Sequence, residues 1–161
     1  MRFLKLFGCL VLIFIYSCNV SSKSKNKISE NTIPENTGVQ FIEENWNNAL
    51  EKAKSQNKLV FLDIYATWCG PCKMLKQYTF TDTSVGNFFN RNFVNVSVDG
   101  EKGVGPQLAQ QFSIEGYPSL IITDAEGKPV LVTAGYMPAI DLLKFANEAL
   151  RRSKLQVRGT N

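Results

Sequence analysis

Hydrophobic residues in the middle of the chain follow two spacings, and each spacing predicts a different kind of element. Apolar residues three and four positions apart predict an amphipathic helix over residues 43–55. The residues with this spacing are Trp46, Ala49, Leu50 and Ala53. Near-continuous apolar runs at 58–65 and 93–98 are typical of buried central strands. This part of the chain is therefore expected to alternate between helix and strand.

The rest of the middle region continues the alternation. A helix is expected from about Pro71, and a second short helix follows, which residues 81–82 can cap. A short helix after Pro106 precedes two apolar runs around the Gly-containing loop 124–128, and these runs predict a hairpin. A final amphipathic helix is expected over about 138–151. This order predicts an α/β fold with a central mixed sheet flanked by helices on both faces.

Residues 1–17 have the features of a secretory signal. Two basic residues precede an apolar stretch, 6–16, that is too short to cross a bilayer but fits the apolar region of a signal peptide. A buried hydrophobic helix is the alternative, although the polar tract that follows leaves it nothing to pack against. The ending Ile-Tyr-Ser-Cys at 15–18 resembles the lipobox of bacterial lipoproteins. This resemblance implies a mature chain that begins at Cys18 and carries lipid on its thiol, with ordinary signal cleavage as the other outcome.

Two polar segments frame the folded region. Residues 18–40 contain the lipidated cysteine and a tract rich in Ser, Lys, Asn and Glu without helix or strand periodicity, which predicts a flexible tether. Residues 152–161 are basic and are expected to form a disordered tail. The folded domain is therefore expected over residues 41–151.

The distribution of charge argues against a basic nucleic-acid-binding domain. The 161-residue chain has 18 basic and 14 acidic residues, which gives a formal charge of +4. The excess lies at the ends, since residues 1–27 carry five basic side chains, residues 151–161 carry four, and neither segment has an acidic one. Residues 28–150 carry nine basic and 14 acidic side chains. The folded domain is therefore acidic, and we expect no nucleic-acid partner.

Cysteine chemistry is concentrated in one Cys-x-x-Cys sequence. Of the four cysteines, Cys9 lies in the signal and Cys18 at its end, which leaves Cys69 and Cys72 as the thiols of the folded domain. They follow a buried strand at the start of a helix, where residues three apart face each other and unpaired N–H groups favour a thiolate. Cys69 is thus the expected nucleophile, and Cys72, expected to be the less exposed of the two, is the resolving thiol.

Two other uses of the pair stay open. One is a purely structural disulfide, although so short a loop stabilises little through chain entropy. The other is half of a zinc or iron–sulfur site, which would need carboxylates or a second chain because the sequence has no histidine. The absence of histidine also excludes Ser-His and Cys-His nucleophile pairs. We expect redox chemistry, with the Cys69–Cys72 disulfide as the redox group and no metal or other cofactor.

The sequence Trp-Cys-Gly-Pro-Cys-Lys at residues 68–73 resembles the active site of the thioredoxin-like family. Residues 41–150 follow the family's order of elements, and residues 62–82 are similar to the C-terminal domain of the DsbD transmembrane reductase. The resemblance therefore implies the thioredoxin-like fold. The residues that it implies shape the site around the two cysteines are Trp68, Gly70, Pro71 and Lys73.

Four further positions gain a role from the resemblance. Asp63 matches a buried aspartate that assists proton transfer to and from the second cysteine. Its place in an apolar strand is expected to raise the pKa of its carboxyl group. The alternative is an aspartate at a solvent-exposed strand end. Pro118 matches the cis-proline that faces the disulfide. This cis bond would leave the backbone groups of Tyr117 free to pair with an extended substrate. The alternative is an ordinary trans proline in a loop. Gly135 matches a glycine that lets the substrate backbone approach, or is a plain turn glycine.

Two positions depart from the family pattern. Asn95 stands where thioredoxin places the lysine that it pairs with the buried aspartate. Lys76 stands where the DsbD domain has an acidic residue. Both departures change the charge around the thiols.

The resemblance implies a thiol-disulfide oxidoreductase of the cell envelope, anchored to a membrane by lipid and facing the periplasm. Its expected partners are exported disulfide-containing proteins and a membrane electron donor of the DsbD type, and the chain is expected to be a monomer. The Gly-Pro pair between the cysteines is typical of reducing members of the family. The alternative is a peptide-binding or chaperone module that keeps the fold without redox turnover.

Overall fold

A five-stranded mixed sheet lies at the centre of residues 37–159, the part of the chain that the computed structural model describes. The strands are β1 (Phe41–Glu43), β2 (Leu59–Tyr65), β3 (Phe93–Asp99), β4 (Ser119–Thr123) and β5 (Pro129–Ala134). Their order is β1-β3-β2-β4-β5, in which the first three are parallel, β4 is antiparallel to β2, and β5 is antiparallel to β4. The predicted central strands and the hairpin are confirmed, whereas the sequence pattern does not indicate the short edge strand β1.

Helices occupy the connections between these strands. They are α1 (Trp46–Gln56), α2 (Gly70–Met74), α3 (Thr83–Asn92), α4 (Gly105–Gln111) and α5 (Ala139–Gly159), with a π-helical segment (Leu75–Thr79) directly after α2. Asp82 caps α3 as predicted, because its Oδ1 accepts a hydrogen bond from the Val85 N–H at 3.0 Å. α1 begins at Trp46 rather than at residue 43, because Asn45 Oδ1 accepts from the Asn48 N–H and sets the first turn there. Within residues 37–159, no helix is both long and apolar enough to cross a membrane.

Successive side chains of β2 point to opposite faces of the sheet, and each face has its own core. Val60, Leu62 and Ile64 pack against residues of α1 and α4 on one face. Phe61 points to the other face, among residues of α3 and α5, and its ring centroid lies 4.7 Å from that of Phe89. Helices therefore cover both faces of a mixed sheet, and the predicted α/β fold class is confirmed.

The tether prediction is wrong for its last residues. The N–H of Val39 donates a 2.7 Å hydrogen bond to the carbonyl of Phe80, so residues 37–40 lie against the folded domain. Gly38 permits this approach, because a Cβ at that position would collide with the backbone of Phe80 and Thr81. The predicted signal, the lipidated Cys18 and the tether up to residue 36 lie outside the described residues.

The prediction of a disordered basic tail is wrong for residues 152–159, which continue α5. The reason is visible at the point where the predicted helix would have ended. Arg151 and Arg152 both donate hydrogen bonds from Nε to the Glu148 carboxylate, at 2.8 and 2.7 Å. Basic side chains three and four residues after an acidic one stabilise a helix, and no proline interrupts the segment. The basic charge that suggested a solvated end therefore supports helix formation.

Candidate active site

Cys69 and Cys72 form a disulfide at the beginning of α2, with an S–S distance of 2.03 Å and a Cα–Cα distance of 5.3 Å. Cys69 is the N-cap residue, and its Sγ accepts a hydrogen bond from the backbone N–H of Cys72 at 3.1 Å. A donor aimed at this sulfur stabilises negative charge on it. The local backbone therefore favours negative charge on the Cys69 sulfur, and the role of Cys69 as the nucleophile stays a prediction.

The residues between and after the two cysteines build the first turn of α2. Pro71 occupies an early helical position, where a missing N–H breaks no helical hydrogen bond. A Cβ on Gly70 would meet open space, so this position leaves the surface around the disulfide uncrowded. The N–H of Lys73 donates to the Cys69 carbonyl at 3.3 Å and continues the turn. The Cys-Gly-Pro-Cys-Lys sequence thus forms the strand-to-helix junction predicted for it.

Burial does not distinguish the two cysteines in the oxidised form. Cys69 and Cys72 are each 3% exposed, which contradicts the expectation that Cys72 is the less exposed. Both pack with Ala66, and the partly buried Tyr65 and Tyr117 lie against this cluster. The hydrogen bond from the Cys72 N–H to the Cys69 sulfur, by contrast, does distinguish the two cysteines.

Trp68 directly precedes Cys69 and is 66% exposed. Its indole N–H donates to the two carboxylate oxygens of Glu101, at 3.0 and 3.1 Å. Its ring also meets that of Tyr117 edge to face, with centroids 6.0 Å apart. Glu101 is a site residue that the sequence analysis missed, since it follows β3 in a polar turn without any local motif.

The loop before β4 carries the predicted proline. The Tyr117–Pro118 peptide bond is cis, as the resemblance implied. The Pro118 carbonyl accepts a 2.9 Å hydrogen bond from the N–H of Gly135, which joins this loop to the end of β5. Gly135 has φ of +92°, a conformation that favours glycine, and a Cβ there would meet open space. Tyr117, Pro118 and Gly135 are therefore brought together near the disulfide.

Asp63 is a buried carboxyl group in the centre of β2, and 1% of its surface is exposed. Its Oδ2 accepts a 3.1 Å hydrogen bond from the Ser97 hydroxyl, whereas Oδ1 has no hydrogen-bond partner within the described chain. Burial raises the pKa of Asp63 to about 7, because removal from water disfavours the charged form. The hydrogen bond from Ser97 and the charge of Lys76 oppose this effect, and the charge of Glu43 adds to it. The carboxyl can therefore both hold and release a proton near neutral pH.

Asn95 and Lys76, the two departures from the family pattern, make different contacts around the site. Asn95 directs its amide NH₂ to the Gln40 carbonyl and the Asn90 side chain, at 3.2 and 3.1 Å, so Ser97 rather than Asn95 is the hydrogen-bond partner of Asp63. Lys76, on the π-helical segment, lies with its Nζ 3.5 Å from the centre of the Tyr65 ring. The pairing register of β2 and β3, which places Ser97 opposite Asp63, was the signal that could have identified Ser97.

The site combines a dithiol at the beginning of α2 with a buried carboxyl group of raised pKa on β2, the strand that precedes it. Between residues 37 and 159, no three His, Cys, Asp or Glu residues are grouped so that they could hold a metal ion. The disulfide, by contrast, is fully formed and lies among aromatic side chains at the strand-to-helix junction. The arrangement is suited to the exchange of disulfides.

Comparisons with known proteins lead to the same chemistry. The chain is 35% identical over 105 residues to the thiol:disulfide interchange protein DsbD of Pseudoalteromonas atlantica, covering 63% of this chain and 18% of that protein. The DsbD of Actinobacillus pleuropneumoniae is 32% identical over 97 residues, which are 58% of this chain and 17% of that one. The chain thus spans less than a fifth of these curated relatives.

Solved structures resemble the domain over most of their own length. A solution structure of a candidate disulphide-isomerase from Bacteroides thetaiotaomicron has 38% identity and a TM-score of 0.64, over 71% of this chain and 94% of that one. The C-terminal domain of DsbD from Neisseria meningitidis has 22% identity and a TM-score of 0.54, over 63% and 90%, and shows the fold alone. Residues 46–150 match the family model of the thioredoxin-like domain, which is more than half of the chain. The chain therefore belongs to the thioredoxin-like family.

Proposed function

We propose that this protein is a thiol-disulfide oxidoreductase of the bacterial cell envelope that reduces or exchanges disulfides in exported proteins. The observation that carries the proposal is the Cys69–Cys72 disulfide at the beginning of α2, with a donor N–H on the Cys69 sulfur. The likeness of the shared region to thiol:disulfide interchange proteins supports the same chemistry. The redox group is the pair of cysteines, and the reaction needs no other cofactor.

The reaction begins from the reduced dithiol. The Cys69 thiolate attacks one sulfur of a substrate disulfide, forms an intermolecular disulfide, and releases the other substrate sulfur as a thiolate that takes up a proton. Cys72 then loses its proton and attacks the Cys69 sulfur, which releases the second substrate sulfur. Two electrons pass from the dithiol to the substrate. The substrate gains two thiols, and the Cys69–Cys72 disulfide forms.

Asp63 is the group that we assign to the proton of Cys72. A carboxylate with a pKa of about 7 accepts a proton at neutral pH and returns it without a large barrier. Replacing Asp63 with Asn is expected to slow the resolution step about 10²-fold, because general base catalysis typically contributes that much or more. The rate at which Cys72 resolves a preformed mixed disulfide, measured in a single turnover, tests this role.

We assign substrate binding to the surface around the disulfide. Tyr117 would offer backbone groups to an extended substrate segment, beside the cis peptide bond at Pro118. Gly135, with no side chain, leaves room for the substrate backbone on the other side. Trp68 supplies an exposed aromatic surface next to these loops. The site would therefore recognise main chain and apolar side chains rather than one defined sequence.

Localisation and electron supply belong to the same proposal. We propose that residues 1–17 direct export, that Cys18 carries lipid, and that the domain faces the periplasm. A membrane electron donor of the DsbD type would then reduce the disulfide again, a proposal supported by the similarity to DsbD proteins. Metabolic labelling with a radioactive fatty acid tests the anchor. Label is expected in the wild type and absent in Cys18→Ser, and an unlabelled wild-type protein would contradict it.

The redox proposal is tested by insulin reduction with the purified protein and dithiothreitol as the electron source. Cys69→Ser is expected to lose all turnover above the uncatalysed rate, and Cys72→Ser is expected to accumulate a mixed disulfide with substrate. Cys18→Ser is the matched control, since it removes a thiol that lies outside the domain and should leave the rate unchanged. Turnover that survives Cys69→Ser would overturn the proposal.

A second candidate function is a module that holds extended peptides without redox turnover. It is favoured by one observation, the 66% exposure of Trp68 beside the Tyr117 ring. Peptide binding measured by fluorescence anisotropy separates the two candidates. Affinity that is unchanged when both cysteines are replaced by Ser, together with no insulin reduction, would favour this module.

A further inference from the structure

Three polar residues lie side by side on one face of the sheet. Asp63 on β2 is in register with Ser97 on β3, and Ser97 is in register with Glu43 on β1. Register partners on parallel strands point to the same face, so the three side chains form a line from the centre of the sheet to its edge. We call Asp63, Ser97 and Glu43 the polar row. The same face also carries apolar core residues such as Phe61, and buried Asn95 lies opposite Phe61 on β3.

The polar row runs from the interior of the protein to its surface. Asp63 and Ser97 are each 1% exposed, whereas Glu43, at the edge strand, is exposed. A cavity of about 420 Å³ lies at the outer end of the row and is lined by both Glu43 and Ser97. Residues 37–41, Phe80 and Thr81 form most of its remaining wall. The cavity is wide enough for water, and polar side chains in its wall include Glu43, Lys76 and Ser97, the last of which hydrogen-bonds to Asp63.

Lys76, on the π-helical segment, lines the same cavity as Ser97 and Glu43. Its Nζ is 3.5 Å from the centre of the Tyr65 ring, and Tyr65 points to the same face as Asp63 because the two residues are two positions apart on β2. The charged groups that act on Asp63 are Lys76 from the π-helical segment and Glu43 from β1, and they act in opposite directions. Ser97 from β3 contributes the hydrogen bond. Three elements therefore bring polar groups to one buried carboxyl.

We propose that the polar row and Lys76 form the route by which Asp63 exchanges its proton with solvent. In the same proposal, Lys76 lowers the proton affinity of Asp63 and Glu43 raises it. The inference rests on the proposed function, in which Asp63 takes the proton of Cys72. In this route the Ser97 hydroxyl, which donates to Asp63, turns toward the cavity and gives its proton to a water there, while its oxygen takes the proton of the Asp63 carboxyl. Asp63 returns to the carboxylate, and no electron moves in this step.

The charge part of the proposal is tested by following the Asp63 carboxyl carbon by NMR while pH is varied. Lys76→Met is expected to move the titration of Asp63 to higher pH, and Glu43→Gln to lower pH, because one removes a favourable charge and the other an unfavourable one. Lys76→Arg should titrate like the wild type. Lys144→Met removes another exposed lysine, from α5, and is the matched control. Titrations of Lys76→Met and Lys144→Met that coincide would overturn this part.

The route itself is tested at Ser97, with resolution of a preformed mixed disulfide by Cys72 as the reaction. Ser97→Ala removes the hydroxyl and is expected to slow this step about tenfold at pH 7, since a positioned proton-transfer group contributes tenfold or more. Ser97→Thr keeps a hydroxyl at the same position and should stay within about twofold of the wild type. Equal rates in the Ala and Thr variants would overturn the route. Circular dichroism confirms that each variant is folded before the rates are compared.

The two proposals fail in different ways. If the protein reduces no disulfide but Lys76→Met and Glu43→Gln still shift the Asp63 titration in opposite directions, the proposed function is wrong and the electrostatic assignment stands. If insulin reduction depends on Cys69 but neither charge variant moves the titration, the function stands and the inference is wrong.

Discussion

The two faces of β2 are made by alternate residues of one strand, yet they hold very different chemistry. Val60, Leu62 and Ile64 are each 0% exposed and contact only one apolar core. On the other face, Phe61 is followed by Asp63, which is equally buried but ionisable. The first face serves stability alone. The second carries a carboxyl group that destabilises the fold when it is charged and that the proposed reaction requires.

This difference shows how a buried strand can support chemistry without exposing it. The apolar face excludes water from the sheet, and the low polarity around Asp63 then raises the pKa of its carboxyl group to about 7. The polar row connects that carboxyl to solvent at one edge only. Substitutions on the two faces are therefore expected to have different effects on stability, on its pH dependence and on turnover.

The largest expected effect is on the apolar face. Leu62→Ala leaves a cavity in the core next to α1 and α4 and is expected to lower the free energy of unfolding by about 2–5 kcal/mol. Because no titratable group is involved, the loss should be the same at pH 5 and pH 8. Urea unfolding at both pH values measures it. A loss that varied strongly with pH would contradict the separation of the two faces.

Asp63→Asn, on the other face of β2, is expected to raise the free energy of unfolding rather than lower it. The native carboxyl keeps its proton up to about pH 7, whereas its ordinary pKa is 3.8, so between these values the folded state binds more protons than the unfolded state. Stability of the wild type therefore falls as pH rises through this window. The Asn variant escapes this loss and should be more stable by about 2–4 kcal/mol at pH 8, with no gain below pH 4.

Urea unfolding of the oxidised wild type and of Asp63→Asn between pH 4 and pH 8 measures this difference. Glu51→Gln, which removes an exposed carboxylate from α1, is the control. A gain that is constant across the pH range would mean that Asp63 is not protonated in the folded protein near neutral pH.

A smaller loss of stability is expected at Asp82, whose carboxyl group caps α3 and is assigned a structural role alone. Its Oδ1 accepts from the Val85 N–H, and Asp82→Ala leaves that donor without a cap. The expected loss is about 1 kcal/mol, and Asp82→Ser should retain most of the stability. Thermal unfolding measures both variants. A change in the rate of insulin reduction at a temperature where both are folded would contradict the assignment of Asp82 to structure alone.

The smallest effect on stability is expected at Glu101. Glu101→Gln keeps one acceptor for the Trp68 indole N–H but removes the charge, and an exposed contact of this kind contributes about 0.5 kcal/mol or less. Trp68 should become more mobile and more accessible to acrylamide quenching, with the buried Trp46 as an internal reference. Unchanged quenching would show that Glu101 does not hold the ring.

Most of the fold followed from the sequence because the signals were local. The apolar runs at β2 and β3 and the capping residue Asp82 each identify an element from its own residues. The short strand β1 was not predicted because three residues are too few to show a hydrophobic period. Its pairing with β3 also depends on the tertiary structure. The helical end of α5 was not predicted because its basic side chains suggest a solvated, disordered tail. Their pairing with Glu148, which supports the helix, is visible only in the structure.

The site divides in the same way. Cys69 and Cys72 could be predicted because the spacing and the strand-to-helix junction lie within a few residues of each other. Ser97, Glu101 and Lys76 reach the site from β3, from the turn after it and from the π-helical segment, and their contacts depend on register and helix position. Equal burial of the two cysteines also depends on neighbours that are distant in sequence, such as Tyr117.

The reduction potential of the Cys69–Cys72 couple tests the central claim, that this dithiol serves as a reductant in the envelope, most directly. It is measured by equilibration of the purified protein with glutathione buffers of defined ratio, and Cys69→Ser serves as the blank. We predict a potential more than about 60 mV below that of the oxidants of the same compartment, which corresponds to about 2.8 kcal/mol for two electrons. A potential equal to that of those oxidants would contradict the assignment as a reductant and would make the protein an oxidase or isomerase.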